Sequence, residues 1–182
     1  MFKNNPEEFI SKAIKLIKEQ KATMIVSCIT YNKTDRVYDN SIFTANKNLD
    51  YTKAFRAKKC IQDYVFTDGY AVDGKSVERQ FVEKLDVAGE VCVYAKLPRG
   101  FQIPTPVGDY APDWAIAFNE GAVKYIYFVA ETKGCSMSCM ELNQIENSKI
   151  ECAKKLFESL SDSNVRYGQI KSYQDLLNIM NK

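Results

Sequence analysis

"APDWAIAF", residues 111–118, sets a carboxylate at the head of a run that otherwise alternates like a buried strand. Trp114, Ile116 and Phe118 recur at every second position, the period of a strand with one face on a core. The run "YFVAETKG", residues 127–134, repeats the anomaly, because Glu131 and Lys133 end a segment that otherwise reads as core. The turn "NEGA" at 119–122 joins the two runs as an antiparallel hairpin. A turn centred near Gly121 places position 113 opposite 129, two residues short of Glu131, or about 7 Å at ~3.3 Å rise per residue. Glu131 and Lys133 then share a face and Thr132 takes the other. Asp113, Glu131 and Lys133 therefore converge at one end of a sheet.

Carboxylates at close range repel, and burial raises the cost further. A divalent cation offsets both, and magnesium suits such hard oxygen ligands, taking one or two carboxylates and completing its shell with water and substrate phosphate. Such a site suits phosphodiester hydrolysis, with the lysine positioning the nucleophile or neutralising developing charge. The plainer alternative is a hydrated, salt-bridged cluster at a strand end.

Outward from the hairpin, "SVERQFVEKLDVAG" (76–89) reads as a helix with Val77, Phe81 and Leu85 on one face. The strand "EVCVYAKL" (90–97) and a stretch punctuated by Pro and Gly lead to the hairpin. After it come a long helix from about Cys139 to Leu160, the strand "VRYGQI" (165–170) and the helix "SYQDLLNIM" (172–180). The order α, β, β, β, α, β, with strands apolar on both faces, predicts an α/β fold whose sheet is covered on each side. Upstream, "PEEFISKAIKLIKEQK" (6–21) predicts an amphipathic helix with Phe9, Ile10, Ala13, Ile14 and Ile17 on one stripe. The runs "ATMIVSCITY" (22–31) and "RVYDNSIFT" (36–44) predict a β-hairpin across "NKTD". Residues 46–75 carry the turn signals Asp68-Gly69 and Asp73-Gly74. The expectation is a single domain over 1–182, with an extension at 1–65 and the core at 66–182.

At 182 residues, 46% hydrophobic and 12% aromatic, the chain supports a sizeable core. Its 25 basic and 23 acidic side chains nearly balance, which neither announces nor excludes a nucleic-acid partner. The apolar runs fall far short of the ~20 residues that cross a bilayer, and no signal peptide is evident, so a soluble cytoplasmic protein with no membrane partner is expected. Six cysteines (Cys28, Cys60, Cys92, Cys135, Cys139, Cys152) scattered without a CxxC pair fit a reducing compartment. Cys135 and Cys139 lack two further ligands for a zinc site. The absence of histidine removes Ser-His-Asp and Cys-His catalysis and every His-ligated metal centre.

Pro-Asp on one strand, followed through a hairpin by Glu-x-Lys with an acid-bearing helix upstream, resembles the PD-(D/E)xK nuclease superfamily. The longer runs "SVERQFVEKLD", "VYAKLPRGFQIPTPVGDYAPDWAIAF", "YFVAETKG", "ELNQIENSKIECAKKLF" and "SYQDLL" are similar, in order and spacing over about residues 65–180, to the C-terminal endonuclease domain of the restriction (Res) subunit of type III restriction-modification enzymes. That resemblance implies a restriction-endonuclease-like αβββαβ core with a mixed sheet, preceded by a helix and β-hairpin extension. It implies DNA cleavage with Mg2+, for which Mn2+ substitutes. Asp113 and Glu131 would be the metal carboxylates, Lys133 the superfamily's lysine and the Thr132 carbonyl a backbone ligand. Glu78 would be the acid from the preceding helix, though it also reads as a solvated helix glutamate. Glu146 and Lys149 match a recurring accessory pair, and equally an i,i+3 helix salt bridge.

Two positions depart from the family pattern, Asn143 where Arg is common and Leu156 where His is common. The chain has no GxxxxGK[ST] phosphate loop, so no ATP site is expected in it. The resemblance implies DNA, a modification (methyltransferase) subunit and an ATPase/translocase region as partners, with this chain an excised or separately encoded nuclease portion. The alternative is a catalytically silent assembly or interaction module of such a complex when separated from its ATPase/translocase region. Elsewhere, Trp114, Ile116 and Phe118 read as core rather than a base-stacking platform. The loop "LPRGFQIPTPVGDY" either braces the fold or touches DNA through Arg99, Gln102 and Tyr110. Lysines 12, 15, 18 and 21 read as a solvated face, with phosphate contact as the alternative.

Overall fold

Asn5 caps the first helix: its side-chain oxygen accepts the Glu8 N–H at 3.0 Å, and Pro6 follows where no intrahelical N–H is needed. The computed structural model describes residues 5–32, 37–43, 51, 54–67, 76–122, 127–132, 144–160 and 164–182, with the backbone alone at 40, 127–132 and 144. Helix α1 runs Pro6–Cys28 and a 3-10 turn spans Asn40–Phe43. Strands β1 (Ala54–Arg56) and β2 (Tyr64–Phe66) precede α2 (Val77–Val87), β3 (Val91–Lys96), β4 (Trp114–Phe118) and β5 (Tyr127–Thr132). Helix α3 (Gln144–Leu160), β6 (Val165–Ile170) and α4 (Tyr173–Met180) complete the order.

From α2 onward this is the expected αβββαβ core. The main sheet has the order β3-β4-β5-β6, antiparallel except where β6 returns parallel to β5 after α3. Helices lie on both faces, and residue parity along β6 separates the two cores. Ile170 joins Phe81, Val82 and Leu85 of α2 and Leu176 and Met180 of α4 in one cluster, completed by Tyr94, Trp114, Ile116 and Phe118. Tyr167, an odd number of residues away, packs on the other face against Ile103, Tyr110, Ile150 and Ala153. Trp114 is 0% exposed, which decides its reading as core. Leu156 packs against this second cluster, so an apolar residue suits that position.

The β-hairpin of the extension is present, but it is formed by β1 and β2, with Arg56 paired to Tyr64. The strand expected from residue 22 is instead the last turns of α1, and residues 40–43 form the 3-10 turn. No Pro or Gly interrupts 7–28, so an established helix propagates through β-branched residues whose strand preference is only a weak prior. Lys155 of α3 secures that end by donating to the Val26 carbonyl at 2.6 Å and the Ser27 carbonyl at 3.3 Å. The apolar stripe of α1 is largely uncovered, with Phe9, Ile10, Ile14, Leu16 and Ile17 all exposed, whereas Ala22 is buried.

The edge of β3 is covered as well. Tyr94 N–H donates to the Lys59 carbonyl at 3.1 Å and Ile61 N–H to the Tyr94 carbonyl at 3.0 Å, so segment 59–61 occupies an edge that would otherwise invite pairing. Asp86, buried at the end of α2, fixes this segment. It accepts the Lys58 and Lys59 amides at 2.8 and 2.9 Å and the Tyr94 hydroxyl at 3.0 Å. Among the described residues no helix is long and apolar enough to cross a membrane. Asp68-Gly69, Asp73-Gly74 and the span expected to start α3 at Cys139 lie outside the described residues.

Candidate active site

The β4–β5 register decides which charges meet. Trp114 pairs with Ala130, Ala115 with Val129 and Ile116 with Phe128. Continued by one residue, this ladder sets Asp113 level with Glu131 rather than two residues short of it. The turn is therefore centred one residue later than expected, with Gly121 at φ +81° within it. Glu131 and Thr132 pair in parallel with Gln169 and Ile170 of β6, which places them on an interior strand. Lys133, Cys135, Cys139 and Asn143 lie outside the described residues, as do the side chains of Glu131 and Thr132.

Asp113 stands at a bend, half-buried, immediately before β4 and after the buried Pro112. Its carbonyl accepts the Leu97 N–H at 2.8 Å, tying it to the end of β3. The loop between β3 and β4 is braced rather than loose. Ile103 and Tyr110 exchange backbone hydrogen bonds of 2.7 and 2.9 Å, and the Tyr110 and Tyr167 hydroxyls are hydrogen-bonded to each other. Tyr38 hydroxyl donates to the Gln102 carbonyl at 2.7 Å and accepts its N–H at 3.1 Å. Tyr110 is thus a brace, while Arg99 is exposed.

Glu78 comes from the first turn of α2. Ser76 caps that helix by accepting the Arg79 N–H at 3.1 Å, and an acid in the first turn suits the helix dipole. The Glu78 side chain is only 11% exposed and pairs with Lys96 at 3.0 Å, so it is not a solvated helix glutamate. Lys96 ends β3 directly opposite Trp114, one residue from Asp113 in the ladder. Its ammonium also donates to the Phe66 carbonyl at 2.6 Å and lies 5.8 Å from the centre of the Trp114 ring. Sequence reasoning missed Lys96. The available signal was a lysine two residues beyond buried Tyr94 in "VYAKL", on the side of the strand that faces α2.

Glu146 and Lys149 form the i,i+3 helix pair, at 3.1 Å in the first turns of α3. The Lys149 side chain also lies against Gly108, which has φ +117°. A Cβ added there would come within 3.2 Å of Lys149 Cε, so the pair abuts the loop that leads to Asp113. On α1, Lys12 pairs with Glu8 at 2.6 Å and both side chains are more than half exposed, a solvated face. Among the described residues no three Asp, Glu, Cys or His side chains converge as a metal-binding group.

Along the ladder Lys96 therefore stands one residue from Asp113, and Asp113 level with the backbone of Glu131, while Glu78 meets Lys96 on the α2 side. A family model described as an endonuclease domain matches residues 62–173, more than half of the chain and the whole of this region. No curated protein and no solved structure matches the chain.

Proposed function

The chain belongs to the endonuclease-domain family, and from that premise we propose that it hydrolyses DNA phosphodiester bonds with Mg2+ at a PD-(D/E)xK-type site, as the cleavage module of a type III restriction enzyme. The observation that carries this reading is the β4–β5 register, Trp114 with Ala130, which continued by one residue sets Asp113 level with Glu131. Hard carboxylate oxygens fit magnesium, which takes one or two such ligands with water and phosphate. Asp113, Glu131, the Thr132 carbonyl and Glu78 are the residues that would hold it. When bound, the ion supplies an oriented, acidified water and charge stabilisation at the phosphate.

The chain's own residues do the rest. Pro112 and the Leu97–Asp113 hydrogen bond fix the position from which Asp113 acts. Lys133 orients the nucleophile or neutralises the developing negative charge. Glu146 and Lys149 serve as accessory residues by holding the loop that delivers Asp113. In this reading the recognition sequence comes from a modification subunit and translocation from an ATPase region.

Supercoiled plasmid incubated with the chain and Mg2+ or Mn2+, beside Asp113→Ala and Lys133→Ala, tests the assignment. Metal-dependent nicking by the unaltered chain, lost in both variants, is expected; equal nicking by all three sinks it. One observation favours a second reading, a silent assembly module: the uncovered apolar stripe of α1. That reading predicts no nicking by the chain alone under any metal.

A further inference from the structure

The Glu78–Lys96 pair is built into the fold where α2 meets the end of β3, one ladder position from Asp113. A carboxylate 11% exposed requires a counter-charge, and the Lys96 ammonium supplies it at 3.0 Å. That ammonium is held by three elements at once. Glu78 belongs to the first turn of α2, the Phe66 carbonyl at 2.6 Å ends β2, and the Trp114 ring at 5.8 Å opens β4. The last contact lies within cation–π range. Leu97, which directly follows β3, donates its N–H to the Asp113 carbonyl, so the segment that carries Lys96 also ties down Asp113.

We propose that Lys96 is a positioning residue for Glu78 and a resident counter-charge of the site, fixing that carboxylate at the sheet end where Asp113 stands one ladder position from Lys96, and setting how much divalent cation the site requires. This inference rests on the nuclease reading above. A divalent ion that engages the Glu78 carboxylate must share it with the ammonium, and two cations at one carboxylate repel. Without Lys96 the carboxylate is left without this counter-charge, which weakens the metal-free fold and strengthens the pull on a dication. A salt bridge that only stabilises the fold would do the first and not the second.

Thermal unfolding of the full chain across a Mn2+ series, without DNA, separates the two. Lys96→Met should melt lower than the unaltered chain in the absence of metal and reach half of its Mn2+-induced stabilisation at roughly fivefold less Mn2+ or lower. Lys96→Arg should follow the unaltered chain, and adding Glu78→Gln to Lys96→Met should abolish the gain. Identical Mn2+ midpoints for the unaltered chain and Lys96→Met overturn the inference and leave the nuclease reading, which stands on plasmid nicking, untouched. No response to Mn2+ in any of these proteins overturns the proposed metal site and this inference with it. If Lys96→Met does not fold, Lys96→Gln, which retains a donor for the Phe66 carbonyl, provides the same comparison.

Discussion

Asp86 illustrates how one residue can organise distant segments. Its carboxylate accepts two backbone amides and a tyrosine hydroxyl while buried, so each interaction is charge-assisted and shielded from water. Burial first, and the Asp86 charge second, push the Tyr94 phenol well above its ordinary range, so Tyr94 remains a donor at any working pH. Asp86→Ala should therefore cost roughly 3 kcal/mol in chemical denaturation, and Asp86→Asn less, because the amide keeps one acceptor oxygen. Nothing in "EKLDVAG" distinguishes this aspartate from a solvated one. Its amide partners lie 27 and 28 residues earlier, where no local pattern reports them. Cysteine reactivity should be just as position-dependent. Cys28 and Cys92 are exposed, whereas Cys152 is buried and burial raises its thiol pKa, leaving less thiolate at a given pH. Peptide mapping after brief iodoacetamide treatment of the native chain should find Cys28 and Cys92 labelled well before Cys152.

At the level of elements, legibility followed the range of the interactions involved. The alternation of Trp114, Ile116 and Phe118 is a local consequence of the pleat, and all three are buried in one core. The end of helix α1 is not legible in the sequence because the cause is not local. The β-rich "MIVSC" stays helical as a continuation of an uninterrupted helix, with its last carbonyls held by a lysine 129 residues further on. The β4–β5 register was legible to within two residues, since turn residues identify a hairpin but not the exchange of its closing pairs. The amphipathic pattern of α1 was equally visible, yet its apolar stripe is largely exposed. Ile17→Lys, at a position 67% exposed, should shift stability by no more than about 0.5 kcal/mol. Trp114→Ala, by contrast, empties the centre of the core and should cost about 3–5 kcal/mol or prevent folding. Parallel denaturant melts of the two variants check both values.

Across the whole molecule, the αβββαβ order places a hairpin, an edge strand and a helix start around one end of the main sheet. Asp113 and Glu131 are visible in the sequence as charges at the ends of apolar strands. Lys96 is not, because a lysine closing an edge strand is unremarkable until its partner on α2 is known. The proposed chemistry stands on Asp113 and Glu131 sharing one metal ion. Binding of Mn2+ to the full chain, followed by the loss of the free-ion electron paramagnetic resonance signal, tests that most directly. The unaltered chain should bind Mn2+, and Asp113→Asn and Glu131→Gln should each weaken binding by roughly tenfold or more, at least the loss that follows removal of an outer-shell partner. Binding by both variants as tight as that of the unaltered chain would contradict the shared site.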